Sequence, residues 1–192
     1  MSQTHKFFPT CVYVEEDCLN QQQIKKAINL SNKISKKIPD TKNPFINQTY
    51  STIRTYDIVK DSSFNFVTEK ITKHVNLYNK EFLSKYTYQP LGGWINIYSK
   101  TFHYQEAHIH AHSTYSAVLF LQSNEYSSPL YFENPNSEMT PPHEREGFND
   151  MTYNTVNFKP IPGQLLIFRS DIRHFVPPSL KENKRMTLSY NY

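Results

Sequence analysis

Near residue 87 the apolar residues of this 192-residue chain change period. Before that point they recur every three or four positions. After it they alternate with polar residues in short runs, "GWINIYS", "HIHAH", "YSAVLFLQ", "PLYFENP", "MTYNTVNF", "GQLLIF", "RHFV" and "RMTLSYNY". Alternation sends successive side chains to opposite sides of a strand, and seven or eight such strands predict a β-barrel or sandwich. In "GWINIYS", Trp94, Asn96 and Tyr98 share one face and Ile95 and Ile97 the other; in "RMTLSYNY", Arg185, Thr187 and Ser189 oppose Met186, Leu188 and Tyr190. Each strand thus has a greasy and a polar side. The greasy sides are expected to lie under helices, with the polar sides lining an interior that serves as a site.

The helices come first in the chain. From Asp17, a candidate N-cap, to Pro39, residues Leu19, Ile24, Ala27, Ile28, Ile34 and Ile38 mark an imperfect apolar stripe. After Asp61 to Ser63, the positions Phe64, Val67, Ile71, Val75, Tyr78 and Phe82 give a cleaner helical spacing. The expected fold class is α+β, mainly β, as one domain over residues 1–192, with a helical part at about 1–86 and a barrel at about 87–192. Fourteen Tyr and thirteen Phe against four Gly suit a strand-rich chain and argue against disorder. The net charge of +4 is spread among acids without a basic stripe, so no nucleic-acid partner is expected. With no charged-then-apolar leader and no apolar run near the roughly 18 residues of a membrane span, no membrane partner is expected and the cytoplasm is the expected location. The oligomeric state stays open, a homo-oligomer included. Cys11 and Cys18 are too few for a disulfide framework and read as structural or incidental.

The chemistry-bearing residues are the histidines. On a strand, His108, His110 and His112 of "HIHAH" point the same way, but the outer two are roughly 13 Å apart, too far to share one ion through bonds of about 2.1 Å unless the strand bends. Two adjacent members can serve, and a third ligand must come from elsewhere. His5 is near a terminus, His74 sits beside a helical stripe, His103 is in a turn and His143 is in a polar, Pro-rich stretch. His174 is different, because it follows "PGQLLIFRSDIRH", a glycine turn and a buried-looking strand, and so is held on framework. Eleven residues later Arg185 offers a planar fork for a carboxylate, with the Thr187 hydroxyl on the same face.

Taken together, "Y98-x9-H108-x-H110", "SAVLFL", "GQLLIFRSDIRH174FVPP" and "R185MTLSYNY" resemble the iron(II)- and 2-oxoglutarate-dependent dioxygenases. Within them the likeness is to the prolyl-hydroxylase-like group that carries "HxHxxS..SGxYY" and ends in "RISxSFN". The resemblance implies a double-stranded β-helix, a jelly-roll or cupin-like barrel, with N-terminal helices on one sheet and the metal near its open end. It implies iron(II) ligands at His108, His110 and His174, with His112 behind them or on the substrate side. It further implies Arg185 on the distal carboxylate of 2-oxoglutarate, helped by Thr187 and Tyr98. The implied reaction consumes O2 and 2-oxoglutarate, releases succinate and CO2, and hydroxylates a C–H bond of a peptide, protein or small molecule. One departure stands out: most of the family has Asp or Glu where this chain has His110. Three neutral imidazoles leave the ion its full double charge, which still attracts a dianionic co-substrate. The polar stretch from Asn134 to Asp150 is a candidate lid over the barrel mouth. Two rival readings use fewer of these residues. One is a three-histidine cupin-like metalloprotein that binds its substrate without 2-oxoglutarate, against which Arg185 argues; the other is a non-catalytic β-barrel module.

Overall fold

The computed structural model describes residues 3, 9–38, 49–136, 147, 149, 152–182 and 184–192. The first strand, β1 (Val12–Glu15), is followed by helix α1 (Gln21–Lys37). The helix starts at Asn20 and not at Asp17. Asn20 accepts a hydrogen bond from the Gln23 backbone N–H and the Gln23 side chain accepts from that of Asn20, a reciprocal cap that an acid three residues earlier cannot make. Ile24, Ala27, Ser31 and Ile34 form its buried stripe, and Lys36 and Lys37 complement the negative end of the helix dipole. Pro39, the expected stop, lies outside the described residues.

Strand β2 (Tyr50–Ser51) precedes two single 3-10 turns, whose first N–H groups are capped by Asp57 and Asp61, and helix α2 (Asn65–Glu81). Val67, Ile71, Val75 and Tyr78 of α2 are fully buried, as their spacing predicts. Eight further strands follow: β3 (Gly92–Tyr98), β4 (Gln105–His108), β5 (Tyr115–Gln122), β6 (Leu130–Glu133), β7 (Thr155–Phe158), β8 (Leu165–Arg169), β9 (His174–Val176) and β10 (Arg185–Asn191).

These strands make two antiparallel sheets, one of six strands in the order β1-β8-β5-β10-β3-β2 and one of four in the order β4-β9-β6-β7. Among the described residues every ladder stays within its own sheet, so the expected closed barrel is instead a pair of facing sheets, a jelly roll. The N-terminal region, expected to be helical, also supplies β1 and β2 to opposite edges of the large sheet. Both helices cover the outer face of that sheet. There Ile95, Ala117, Leu119, Leu165, Ile167, Leu188 and Tyr190 join the stripes of α1 and α2 in one apolar cluster. A second cluster, including Val118, Phe120, Phe132, Leu166, Phe168 and Ile172, fills part of the space between the sheets. The turn before β8 depends on Gly163, whose φ is +94° and whose missing Cβ would sit 3.0 Å from the Leu19 carbonyl oxygen.

Among the described residues no helix is long and apolar enough to cross a membrane. Cys11 and Cys18 are unpaired with each other, and burial pushes the Cys18 thiol up to about 11, in keeping with an inert structural role. Most of the candidate lid, Asn134 to Asp150, lies outside the described residues.

Candidate active site

Strand register brings His108 and His174 together. They are directly opposed on β4 and β9, with ring centroids 4.3 Å apart. The chain leaves the sheet after His108, and His110 is held just beyond the strand by its backbone N–H, which donates to the Ser170 carbonyl at 2.9 Å. The three side chains converge, each offering a ring nitrogen within 4.8 Å of the others. His112 does not join them, because the strand alternation expected through residue 112 ends at His108. His112 is exposed in a turn with φ +69°. His74 serves structure, with its Nδ1 3.0 Å from the Tyr13 hydroxyl, and His103 accepts from the Ser99 backbone N–H. His5 and His143 lie outside the described residues.

Hydrogen bonds fix which nitrogen of each ring faces inward. His108 Nδ1 lies 2.7 Å from the Glu106 carbonyl and His174 Nδ1 lies 2.9 Å from the Ile172 carbonyl. A carbonyl only accepts, so both rings carry their proton on Nδ1 and turn an Nε2 lone pair to the cavity. His110 Nδ1 likewise lies 2.6 Å from Asn191 Oδ1. The Nε2 atoms of His108 and His110 are then 3.1 Å apart. Two lone pairs at that distance repel unless a cation sits between them, and two ligands bound at about 2.1 Å and a right angle are themselves about 3 Å apart. The donor set therefore fits a divalent transition metal. Burial holds all three imidazoles neutral and ready to ligate: His110 is pulled down to about 4, His108 is lowered, and His174 is held well below the ordinary range, with the other two rings adding to the effect.

The same cavity continues along the inner faces of β3 and β10. Its paired rungs are Trp94 with Ser189, Asn96 with Thr187, and Tyr98 with Arg185. Arg185 is 1% exposed, its guanidinium 4.5 Å from the Tyr98 ring and 5.4 Å from that of Phe120. Burial lowers the guanidinium's pKa and Tyr98 opposes this; burial raises the Tyr98 phenol, which donates to Gln105 Oε1 at 3.0 Å. Trp94 Nε1 and Asn96 Oδ1, also buried here, have no hydrogen-bond partner among the described residues, so this wall has polar groups that a ligand would satisfy.

A family profile described as "Putative 2OG-Fe(II) oxygenase" matches residues 92–191, which include the histidine cluster and the β3/β10 wall. The chain belongs to this family of 2OG-Fe(II) oxygenases. No curated protein sequence matches it. In fold it is similar to a prolyl-4-hydroxylase from Pseudomonas putida, at 13% identity over 95% of this chain and 92% of that one, with a TM-score of 0.63. It is similar also to a prolyl hydroxylase from Trichoplax adhaerens, solved in complex with a hypoxia inducible factor oxygen degradation domain peptide fragment, at 12% identity over 94% and 83% of the two chains, TM-score 0.64. A third similar structure is HygX from Streptomyces hygroscopicus with nickel and 2-oxoglutarate bound, at 11% identity over 94% and 82%, TM-score 0.63.

As a 2OG-Fe(II) oxygenase the protein is an oxidoreductase that uses iron(II), 2-oxoglutarate and O2. Against this family background the structure adds groups that the sequence reading did not single out for function: Gln105 beside Tyr98 in the cavity, and Asn191, Ser116 and Ser170 behind His110. Asn191 had a legible signal, since it is in phase with Arg185 on β10. Ser116 is a lone polar residue in an apolar run and Ser170 lies between Arg169 and Asp171, and neither position gives a signal of its own.

Proposed function

We propose that His108, His110 and His174 hold the iron through Nε2. Arg185, with Thr187 and Tyr98, grips the distal carboxylate of 2-oxoglutarate, and the enzyme hydroxylates a C–H bond of a peptide or small-molecule substrate. The observation that carries the co-substrate assignment is the complete burial of Arg185 in the cavity that the three histidines share. A buried cation is costly, and a dianion bound there offsets that cost with a bidentate contact.

Bound iron and 2-oxoglutarate supply the oxidative chemistry, in which O2 is consumed, succinate and CO2 are released, and one oxygen atom enters the substrate. The chain's own groups do the positioning. The Nδ1–H bonds to Glu106, Ile172 and Asn191 fix the three ring planes, and Arg185 and Thr187, successive inward residues of β10, set the far end of the co-substrate. The rings of Tyr98 and Phe120 flank the Arg185 guanidinium, and that of Trp94 lies against His110. A peptide substrate gains support from the Trichoplax adhaerens structure, which carries a peptide fragment.

The test is an anaerobic titration of metal-free protein with iron(II) and then 2-oxoglutarate. The weak visible band of a keto acid chelated to protein-bound iron should appear and saturate. His174→Ala should lose the metal, and Arg185→Ala should keep it without forming the band at the same co-substrate concentration. Iron binding by the wild type with no band would overturn the co-substrate assignment and favour direct binding of a substrate to a three-histidine centre.

A further inference from the structure

We propose that Asn191, braced by Ser116 and Ser170, is the positioning residue that makes His110 a metal ligand. The proposal rests on the reading of the three histidines as the iron site. Two of those rings are oriented by backbone carbonyls, Glu106 and Ile172, each two residues before its histidine. A carbonyl cannot reverse its polarity. His110 instead leans on a side-chain carboxamide, whose two ends have opposite hydrogen-bonding character, so which end faces the ring decides whether Nε2 presents a lone pair or a proton to the cavity.

Asn191 turns its oxygen to the ring, and the surrounding hydroxyls can complete a consistent order of protons around that oxygen. Ser116 Oγ lies 3.1 Å from Asn191 Oδ1, 3.0 Å from His110 Nδ1 and 2.8 Å from Ser170 Oγ. A hydroxyl has one proton to give. With Ser116 donating to Asn191 Oδ1, its own oxygen is left to accept, from Ser170 and from the Nδ1–H of His110. The order of protons is then Ser170 to Ser116 to Asn191 Oδ1, with His110 donating to the same Oδ1 at 2.6 Å. Ser116 and Ser170 are 0% and 1% exposed, so water does not compete with this order. Each member is anchored: Ser116 on β5 is paired with Asn191 on β10, and Ser170 receives the His110 backbone N–H. Asn191 also ends the inward row that begins with Arg185, so one strand orients a metal ligand at one end and carries at the other the arginine assigned to the co-substrate carboxylate.

The experiment needs no turnover. In metal-free protein labelled with 15N-histidine and held above pH 8, long-range proton–nitrogen spectra should show His110 protonated at Nδ1. Asn191→Leu should shift that ring toward the Nε2–H form and weaken cobalt(II) binding by about 10- to 100-fold. Asn191→Asp, which keeps the acceptor, should restore both. Trp94, the one tryptophan of the chain, has its ring centroid 5.5 Å from that of His110, so quenching of its fluorescence by cobalt(II) reads the affinity. If Asn191→Leu does not fold, Ser116→Ala tests the same chain of protons and should move both readouts in the same direction. An Nε2–H ring in the wild type, or unchanged tautomer and affinity in the folded variants, would overturn the proposal. Absence of saturable quenching in the wild type would instead overturn the metal reading itself, and the two failures are thereby told apart.

Discussion

The two faces of β10 are buried alike and built for opposite ends. Outward, Met186, Leu188 and Tyr190 are at most 2% exposed and meet the helices, where the hydroxyls of Tyr190 and Tyr192 bond to Thr68 and Thr72 of α2. Inward, Arg185, Thr187 and Ser189 are at most 4% exposed, and they face a cationic, polar cavity whose Trp94 and Asn96 atoms lack partners among the described residues. Burial therefore does not distinguish structure from function here. Satisfaction does: the outer face completes its contacts within the chain, whereas on the inner face the Trp94 indole N–H and the Asn96 carboxamide oxygen are polar groups that a ligand would complete.

Arg185→Met probes the inner face and should have the largest effect. Co-substrate affinity of the metal-loaded protein, measured anaerobically by calorimetry, should fall by about 2–5 kcal/mol, with metal affinity kept and thermal stability unchanged or higher. Loss of metal binding as well would break the separation of the two ends of the cavity. Leu188→Ala on the outer face should do the reverse, lowering the free energy of unfolding by about 2–5 kcal/mol in urea titrations and leaving co-substrate affinity intact.

Acid should strike the inner face selectively. The unfolded histidines take up protons as the pH falls through about 6.5, whereas the buried rings resist, His110 until about 4. The unfolded chain then binds more protons, so stability of the metal-free protein is full above pH 6.5 and declines as pH falls toward 4, on the order of 3 kcal/mol from His110 alone. Urea midpoints that stay flat across that window would contradict the neutral, buried triad. The smallest effect belongs to the outer polar fringe. Thr72→Val removes the partner of the Tyr192 hydroxyl and should cost about 1 kcal/mol with no change in metal or co-substrate binding.

The contrast between faces was legible because strand alternation is local. Trp94, Asn96 and Tyr98 against Ile95 and Ile97, and Arg185 and Thr187 against Met186 and Leu188, sort correctly from period two alone. What depended on distant partners was not legible. Strand β1 pairs Val12 with Phe168, and β2 has two residues, too few to carry a period. His112 misled for a related reason, since alternation says where a side chain points only while the strand lasts, and β4 stops at His108. Ser116 and Ser170 acquire meaning only when their segments meet Asn191 behind one imidazole.

The central claim is that one metal ion sits among His108, His110 and His174 with 2-oxoglutarate running to Arg185. Crystals grown without oxygen, with iron(II) and 2-oxoglutarate, and measured at the iron absorption edge test it most directly. The account predicts one anomalous peak about 2.1–2.2 Å from all three Nε2 atoms, and continuous density from that peak to the Arg185 guanidinium. A peak held by only two of these rings, or a co-substrate lying away from Arg185, would contradict it.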